Sequence, residues 1–320
     1  MLWLRLPLPF ALNHINLWAL RDGDGWTIVD TGLATEDARA IWPELLSGPL
    51  GGRPIRRIIA THMHPDHVGM AGWLVERFNA PLHMTRLEYT TCRVLIADTG
   101  RQAPPEGERF YRSAGWTEDQ IDAYRAGFGR YGARIHAFPA SFERLVDGQT
   151  LAIDDRVWRV VVGSGHSPEH ACLFREDDKV LISGDQVLPR ISSNVSVHPT
   201  EPAANPLHDW LSSIQKLEAG LPADSLVLPS HGEPFLGLDR RLAMLRERHE
   251  QALGRIEGLL AEPRRVVDIF PALFRRPLQA DDLGLATGEA LAHLNLLEYR
   301  GATIRRTDPD GTWWWGSATG

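Results

Sequence analysis

The run RRIIAT at 56–61 passes directly into HMHPDH at 62–67. A short apolar run rich in β-branched residues predicts a strand. HVGMAGWLVERF at 67–78 spaces Val68, Gly72, Val75 and Phe78 as a helix would, with Leu74 beside them. The junction between strand and helix therefore carries three histidines and an aspartate within six positions. In an extended segment side chains alternate with period two, so His62 and His64 project to one side and can grip one ion. Asp66 and His67, where the chain turns into the helix, can reach a second ion nearby. Six residues cannot complete two coordination shells, so the rest must come from elsewhere in the chain.

Other apolar runs end in the same way. INLWAL, the turn RDGDG and WTIVD read as a hairpin whose second strand ends at Asp30. RVWRVVV at 156–162 precedes His166, KVLIS at 179–183 precedes Asp185, and SLVLP at 225–229 precedes His231. Strands mixed with helices, such as the amphipathic stretch 206–221, predict a layered α/β architecture. In such folds, sites form where loops leave the strand ends. His166 is then the candidate third nitrogen for the ion held by His62 and His64. His231 is the candidate for the ion held by Asp66 and His67, and Asp185 is placed to span both. Imidazole and carboxylate without thiolate suit two divalent transition-metal ions, zinc first, with iron or manganese as alternatives. His14, His83, His136, His170, His198, His208, His249 and His293 take the ordinary reading of satisfied polar residues. Of these, His170 and His198 stand nearest to the candidate ligands in sequence.

The formal net charge of −7 gives no global field toward nucleic acid or anionic lipid. Two cysteines, Cys92 and Cys172, cannot supply a disulfide framework, so a reducing compartment is expected. MLWLRLPLPFALNHINLWAL is broken by Arg5, Pro7 and Pro9 and has neither a basic leader region nor a small-residue cleavage site. No run of about 18 apolar residues is present. The expectation is a cytoplasmic protein with no membrane partner.

Residues 1–237 read as a catalytic domain interrupted by a helical insertion at about 86–140. The insertion holds four of the five tyrosines and the arginines Arg93, Arg101, Arg109, Arg112, Arg125 and Arg130. Those arginines are either a solvated helical face or a docking surface for the phosphates of a carrier such as coenzyme A. Residues 238–320 read as a long charged helix, two further helical segments and the hairpin ATIRRT–DPDG–TWWWGS. Three helices and a hairpin form a winged-helix-like module. Its balanced charge points to a structural or homodimerising role rather than to DNA reading.

VDTG, THMHPDH, GHSPEH, SGDQV and PSHGEP together resemble the metallo-β-lactamase-fold hydrolases, in that family's order and over 29–234. Within that family the chain resembles the glyoxalase II-like and β-lactamase-like protein 2 enzymes, and its C-terminal module is similar to the winged-helix tail of the β-lactamase-like protein 2 branch and its bacterial relatives. The resemblance implies a four-layer αβ/βα sandwich with a dinuclear site at one edge. It assigns His62, His64 and His166 to one metal, and Asp66, His67 and His231 to the other. Asp185 would bridge them, and Asp30 would orient the histidine loop without ligating. Class B β-lactamases generally lack the bridging aspartate, and the family's nucleases often carry Gly where Pro65 stands, so neither activity is the first expectation.

Two cations sharing a water lower its pKa from about 15.7 toward neutrality, which makes hydroxide available at pH 7. With Asp66 and Asp185 as the catalytic carboxylates, the expectation is a hydrolase of an ester-like bond, a small-molecule thioester first. A lactonase or a phosphodiesterase/endoribonuclease is the alternative within the fold. A regulatory or nucleic-acid-binding module acting through the C-terminal domain is the non-enzymatic alternative.

Overall fold

The computed structural model describes residues 1–318. The chain forms two compact units, neither continuous in sequence. The first comprises Met1–Thr99, Gly129–Ser193 and Gly220–Arg241, and the second Gly100–Phe128, Asn194–Ala219 and Leu242–Gly320.

The first unit is built on two sheets. One has the order β1 (Leu2–Pro7), β2 (His14–Asp22), β3 (Gly25–Val29), β4 (Ile55–Ile59), β5 (Leu82–Thr85), β6 (Glu143–Leu145). Its first three strands form an antiparallel meander, and the pairings from β3 to β6 are parallel. The other sheet comprises β7 (Thr150–Ile153), β8 (Arg156–Gly163), β9 (His170–Arg175), β10 (Val180–Gly184) and β11 (Leu226–Pro229). Its spatial order is β11-β10-β9-β8-β7, antiparallel except for the parallel pair β10–β11.

Period-two alternation sorts the strand residues into layers. Trp18, Leu20, Val29 and Ile59 of the first sheet meet Trp158, Val160, Ala171, Leu173, Ile182 and Leu228 of the second in one buried cluster. Their sequence neighbours Leu17, Ala19, Ile28 and Ile58 face the opposite way. They pack into a second cluster with helices α1 (Glu36–Ser47), α2 (Pro65–Val68), α3 (Ala71–Phe78) and α4 (Arg86–Ala97). On the far side of the second sheet Val161, Cys172, Phe174, Leu181 and Val227 are buried as well, so both of its faces are covered. Mixed strands and helices in these layers are the α/β architecture expected from the sequence.

Helix α1 is capped by Thr35, whose side chain accepts from the Ala38 amide at 3.1 Å. Trp42 of this helix is fully buried, and its indole N–H donates to the Thr31 carbonyl at 3.0 Å. The helix is thereby fastened to the turn that follows β3.

The second unit contains α5 (Pro105–Ser113), α6 (Glu118–Gly127), α7 (Pro206–Gly220), most of α8 (Leu238–Leu259), α9 (Phe270–Leu273) and α10 (Leu283–Tyr299). It also holds the antiparallel hairpin β12 (Thr303–Thr307) and β13 (Trp313–Ser317). Helix α10 is buried almost continuously from Ala286 to Leu297. The hairpin is sealed from two sides. Trp315 is fully buried and exchanges 2.8 Å backbone bonds with Arg264, and the Arg305 guanidinium lies over the Trp313 and Trp315 rings. On α5 and α6, Arg112 pairs with Glu108 and Glu118, and Arg125 with Glu108, Glu118 and Asp122. These two arginines are engaged with carboxylates both within their own helices and across the α5–α6 pair.

Between α8 and α10 lies a buried imidazole pair, with His249 Nδ1 3.3 Å from His293 Nε2. His293 Nδ1 donates to the Glu289 carbonyl at 2.7 Å, so Nε2 is its accepting nitrogen and His249 Nδ1 carries the proton. Burial, then the neighbouring imidazole, pushes His249 down to about 3, and burial pushes His293 down to about 4. Between about pH 6.5 and 4 the unfolded chain binds protons that the folded chain refuses. Stability is therefore complete above pH 6.5 and falls as the pH drops, by about 1.4 kcal/mol per pH unit for each histidine. Urea midpoints of the metal-free protein should fall from pH 7 to 4.5, and the double variant His249→Leu/His293→Leu should show a shallower decline.

Candidate metal centre

The five strand ends singled out from the sequence meet at one place in the first unit. After β3, Asp30 adopts a left-handed backbone (φ 62°), which a non-glycine residue accepts only when its side chain is well bonded. Here it is. Asp30 Oδ1 accepts from the Thr61 amide at 2.8 Å, and both carboxylate oxygens lie 3.0 Å from Thr61 Oγ1. Oδ2 also meets His67 Nδ1 at 2.8 Å. The Thr31 amide closes the knot, donating to the His67 carbonyl at 2.7 Å.

Past β4, His64 occupies the N-cap position of the short helix α2 without a side-chain capping bond, and the helix starts at Pro65, a residue with no N–H to leave unsatisfied. Asp66 and His67 sit in its single turn. His62 and His64 turn to one side, as the alternation predicts, with His62 Nε2 2.8 Å from His64 Nδ1. The rings of His62 and His64 stand 5.0 and 4.6 Å from that of His166.

Ligand-capable atoms fall into two groups: His62, His64, His166 and Asp185 in one, Asp66, His67 and His231 in the other. Within each, one atom per residue lies within 4.8 Å of all the others. Asp185 faces both groups. Its Oδ2 is 3.5 Å from His166 Nε2, and its Oδ1 is 3.5 Å from His67 Nε2 and 3.4 Å from His231 Nε2. Asp66 Oδ2 stands 3.7 and 3.4 Å from the same nitrogens of His67 and His231. Donors about 2.0–2.2 Å from one tetrahedral ion are about 3.3–3.6 Å apart, so these spacings suit a shared cation.

The hydrogen bonds agree. His67 Nε2, His231 Nε2 and Asp185 Oδ1 are buried without a hydrogen-bond partner, yet they face one another. Buried polar atoms are normally paired, and three that meet at one point fit a cation there. His231 Nδ1 donates to the His14 carbonyl at 2.8 Å, which leaves a lone pair on Nε2 pointing inward. The donor set therefore fits divalent metal ions.

Charge is distributed to match. Burial, reinforced by the surrounding imidazoles, holds His62 well below the usual histidine range, and burial with His166 beside it brings His64 to about 3. Burial also works against a charge on His67, but Asp30, Asp66 and Asp185 overcome it and hold His67 well above its ordinary value. Burial likewise opposes ionisation of Asp185, yet His231 and His67 hold its carboxyl well below the carboxylate range. In the metal-free protein, protons on imidazoles do part of the neutralising that a cation would do.

Sequence reasoning did not assign four residues that shape this place. Asn16 Nδ2 donates to the carbonyls of Pro229 and Gly232 at 2.9 and 2.8 Å, bracketing His231. His14 supplies the carbonyl that orients His231, and its Nε2 accepts from the Gly232 amide at 3.2 Å. Thr61 links Asp30 to the ring of His62, with Oγ1 3.1 Å from Nδ1. His170 is fully buried, stacks on His62 at 4.8 Å, and accepts the Asp185 amide on Nε2 at 3.0 Å. Its nearness in sequence to His166 was the only available signal. His198, which follows Asp185 in sequence, falls in the second unit.

Buried imidazoles and carboxylates collected at the strand ends of a two-sheet sandwich define a candidate metal-binding protein of the α/β class. Residues 12–231 match the Metallo-beta-lactamase superfamily, and residues 253–318 match the family described as Metallo-beta-lactamase-like, C-terminal domain. The chain belongs to the metallo-beta-lactamase superfamily. It is similar to a solved beta-lactamase domain protein from Burkholderia ambifaria, with 43% identity and a TM-score of 0.91 over 98% of this chain and 91% of that one. It is 24% identical to the probable metallo-hydrolase YqjP of Bacillus subtilis (strain 168), over 92% of this chain and 91% of the relative. It is 29% identical to the acyl-coenzyme A thioesterase MBLAC2 of Bos taurus, over 55% of this chain and 59% of the relative.

The Asp185 position depends on Gly184, which has φ 52° and no room for a side chain. A Cβ there would stand 2.4 Å from His170 Cε1, on a rigid ring. Gly184→Ala should destabilise the protein by about 2–4 kcal/mol, from backbone strain plus the clash. In a His170→Ala background the same change should cost at least about 1 kcal/mol less, read as a non-additive double-mutant cycle in urea.

Proposed function

We propose that this protein is a hydrolase that binds two divalent metal ions, zinc by preference, and cleaves a small-molecule thioester. The observation that carries the reading is Asp185, whose two oxygens face different groups of imidazoles. His62, His64 and His166 would hold one ion, Asp66, His67 and His231 the other, with Asp185 reaching both. Bound there, the ions would supply Lewis acidity for the carbonyl and a water acidic enough to attack at neutral pH.

The chain's own residues do the rest. Asp30 holds His67 in the tautomer that turns a lone pair inward, and the His14 carbonyl does the same for His231. Asp66 remains 18% exposed in its side chain, so it can take a proton from the attacking water and pass it to the leaving group. The thioester preference is supported by the relative named as an acyl-coenzyme A thioesterase. We extend the reading to a cytoplasmic setting. Its supports are that Cys92 and Cys172 are buried free thiols, and that no helix among the described residues is long and apolar enough to cross a membrane.

Metal-reconstituted protein should be assayed against acyl-coenzyme A thioesters, lactones and a phosphodiester in parallel. Thioester hydrolysis should have the highest kcat/KM, and a lactone or phosphodiester in first place would overturn the substrate class. Asp185→Asn should lower kcat by about 10²–10³-fold while circular dichroism stays unchanged, the scale of losing one electrostatic stabiliser. Unchanged turnover would remove Asp185 from the reaction.

A further inference from the structure

We propose that Glu88 is a positioning residue that ties together the two loops supplying the three imidazoles of the first ion. This rests on the two-ion reading above. Glu88 lies in the first turn of α4 and is fully buried. It touches none of the candidate ligands through the bonds that define its place. Its Oε2 accepts the amide of Met63, the residue between His62 and His64, at 2.9 Å. Its Oε1 accepts the amide of Glu169, three residues beyond His166, at 2.7 Å. One carboxylate thus spans two loops that are about a hundred residues apart in the chain.

The surrounding bonds show that this span is a joint and not an incidental contact. The carbonyl of Met63 accepts from the Tyr131 hydroxyl, so both backbone polar groups between the two histidines are occupied by side chains from outside the loop. On the other loop, the Glu169 carbonyl accepts from Thr85 Oγ1 at 2.7 Å, and the Glu169 carboxylate accepts the Leu87 amide at 2.9 Å. Residues 85–88 and 169 are therefore clasped in both directions, and Glu88 carries the clasp through to Met63. Burying a carboxylate is costly unless its oxygens are bonded, and here each oxygen is bonded to a different ligand loop.

The residue type follows from the geometry. Two amides approach two oxygens, so the side chain must accept on both. Glutamine has one accepting oxygen and would set an NH₂ against the other amide. Aspartate is shorter by a methylene and does not span the gap. The contacts are also one-sided. They support the His62/His64/His166 group alone, while His67 is held by Asp30 and His231 by His14 and Asn16. Loss of Glu88 should therefore weaken one ion and spare the other, which a general loss of stability would not do.

The test is titration of the full-length apoprotein with Co²⁺, followed by its visible absorption, together with metal content after dialysis against a weak chelator. Wild type should take up two equivalents. Glu88→Gln should keep one tight equivalent and bind the other about 10–100-fold more weakly, the scale found when a residue supporting a ligand is lost. Tyr131→Phe, which frees the Met63 carbonyl and removes the hydroxyl's contact with Cys92 Sγ but leaves both Glu88 bonds in place, should weaken the same equivalent by less. As the mirror case, Asn16→Asp, which cannot donate to the carbonyls beside His231, should weaken the opposite equivalent, with a different change in the spectrum. Glu88→Gln binding both equivalents as wild type does would overturn the proposal, as would equal weakening of both. Wild type that takes up fewer than two equivalents would defeat the two-ion reading itself.

Discussion

The bonds from Asp30 to Thr61 and His67 are the constraint on which the rest of the site depends. Asp30 ends one strand and Thr61 follows its parallel neighbour, so a single carboxylate fixes where two strands stop relative to each other. It also sets the direction of the His67 ring and, through Thr61, steadies that of His62. An aspartate in the left-handed region is strained on its own, and the strain is held by these bonds. Asp30, Gly184 and Gly232, at or just past three of the strand ends, all have positive φ, so the backbone turns sharply at each place where a side chain must be aimed inward.

The two sheets contribute different parts. The first supplies the contiguous ligand loop and its anchor. The second supplies three separated side chains, His166 after β8, Asp185 after β10 and His231 after β11, with β9 lying between β8 and β10. The parallel pair β10–β11 sets Asp185 beside His231, and the antiparallel β9 sets His170 beneath the Asp185 amide. The loop leaving Asp185 is held in turn by the buried Arg241, which donates to the carbonyls of Leu188 and Ile191, both at 2.5 Å. Imidazoles crowd here because the sheet edges converge, and their shared burial keeps His62 and His64 neutral.

Much of this was legible along the chain because the signals are local. An apolar run followed by HMHPDH announces a strand end with ligands, and the same rhythm of strand then histidine or aspartate recurs at Asp30, His166, Asp185 and His231. The layered α/β fold follows from that rhythm. The supporting residues were not legible in this way. Asn16 acts on carbonyls more than two hundred residues away, and Glu88 joins loops near 63 and 169 from the start of a helix that looks like any charged helix. His14 and His170 look like ordinary strand-end histidines until the fold brings them to His231 and Asp185. Nor does sequence alone reveal that Arg112 and Arg125 reach across to carboxylates of each other's helices.

The position of β11 in the chain has a consequence for how such a centre is assembled during synthesis. The contiguous histidine loop is synthesised about 160 residues before His231, and β11, which ends two residues short of His231, pairs with a strand completed some forty residues before it. Until that segment emerges, the nascent chain carries the second group of ligands one imidazole short. The second group is thus completed well after the first, in the order in which translation delivers its residues.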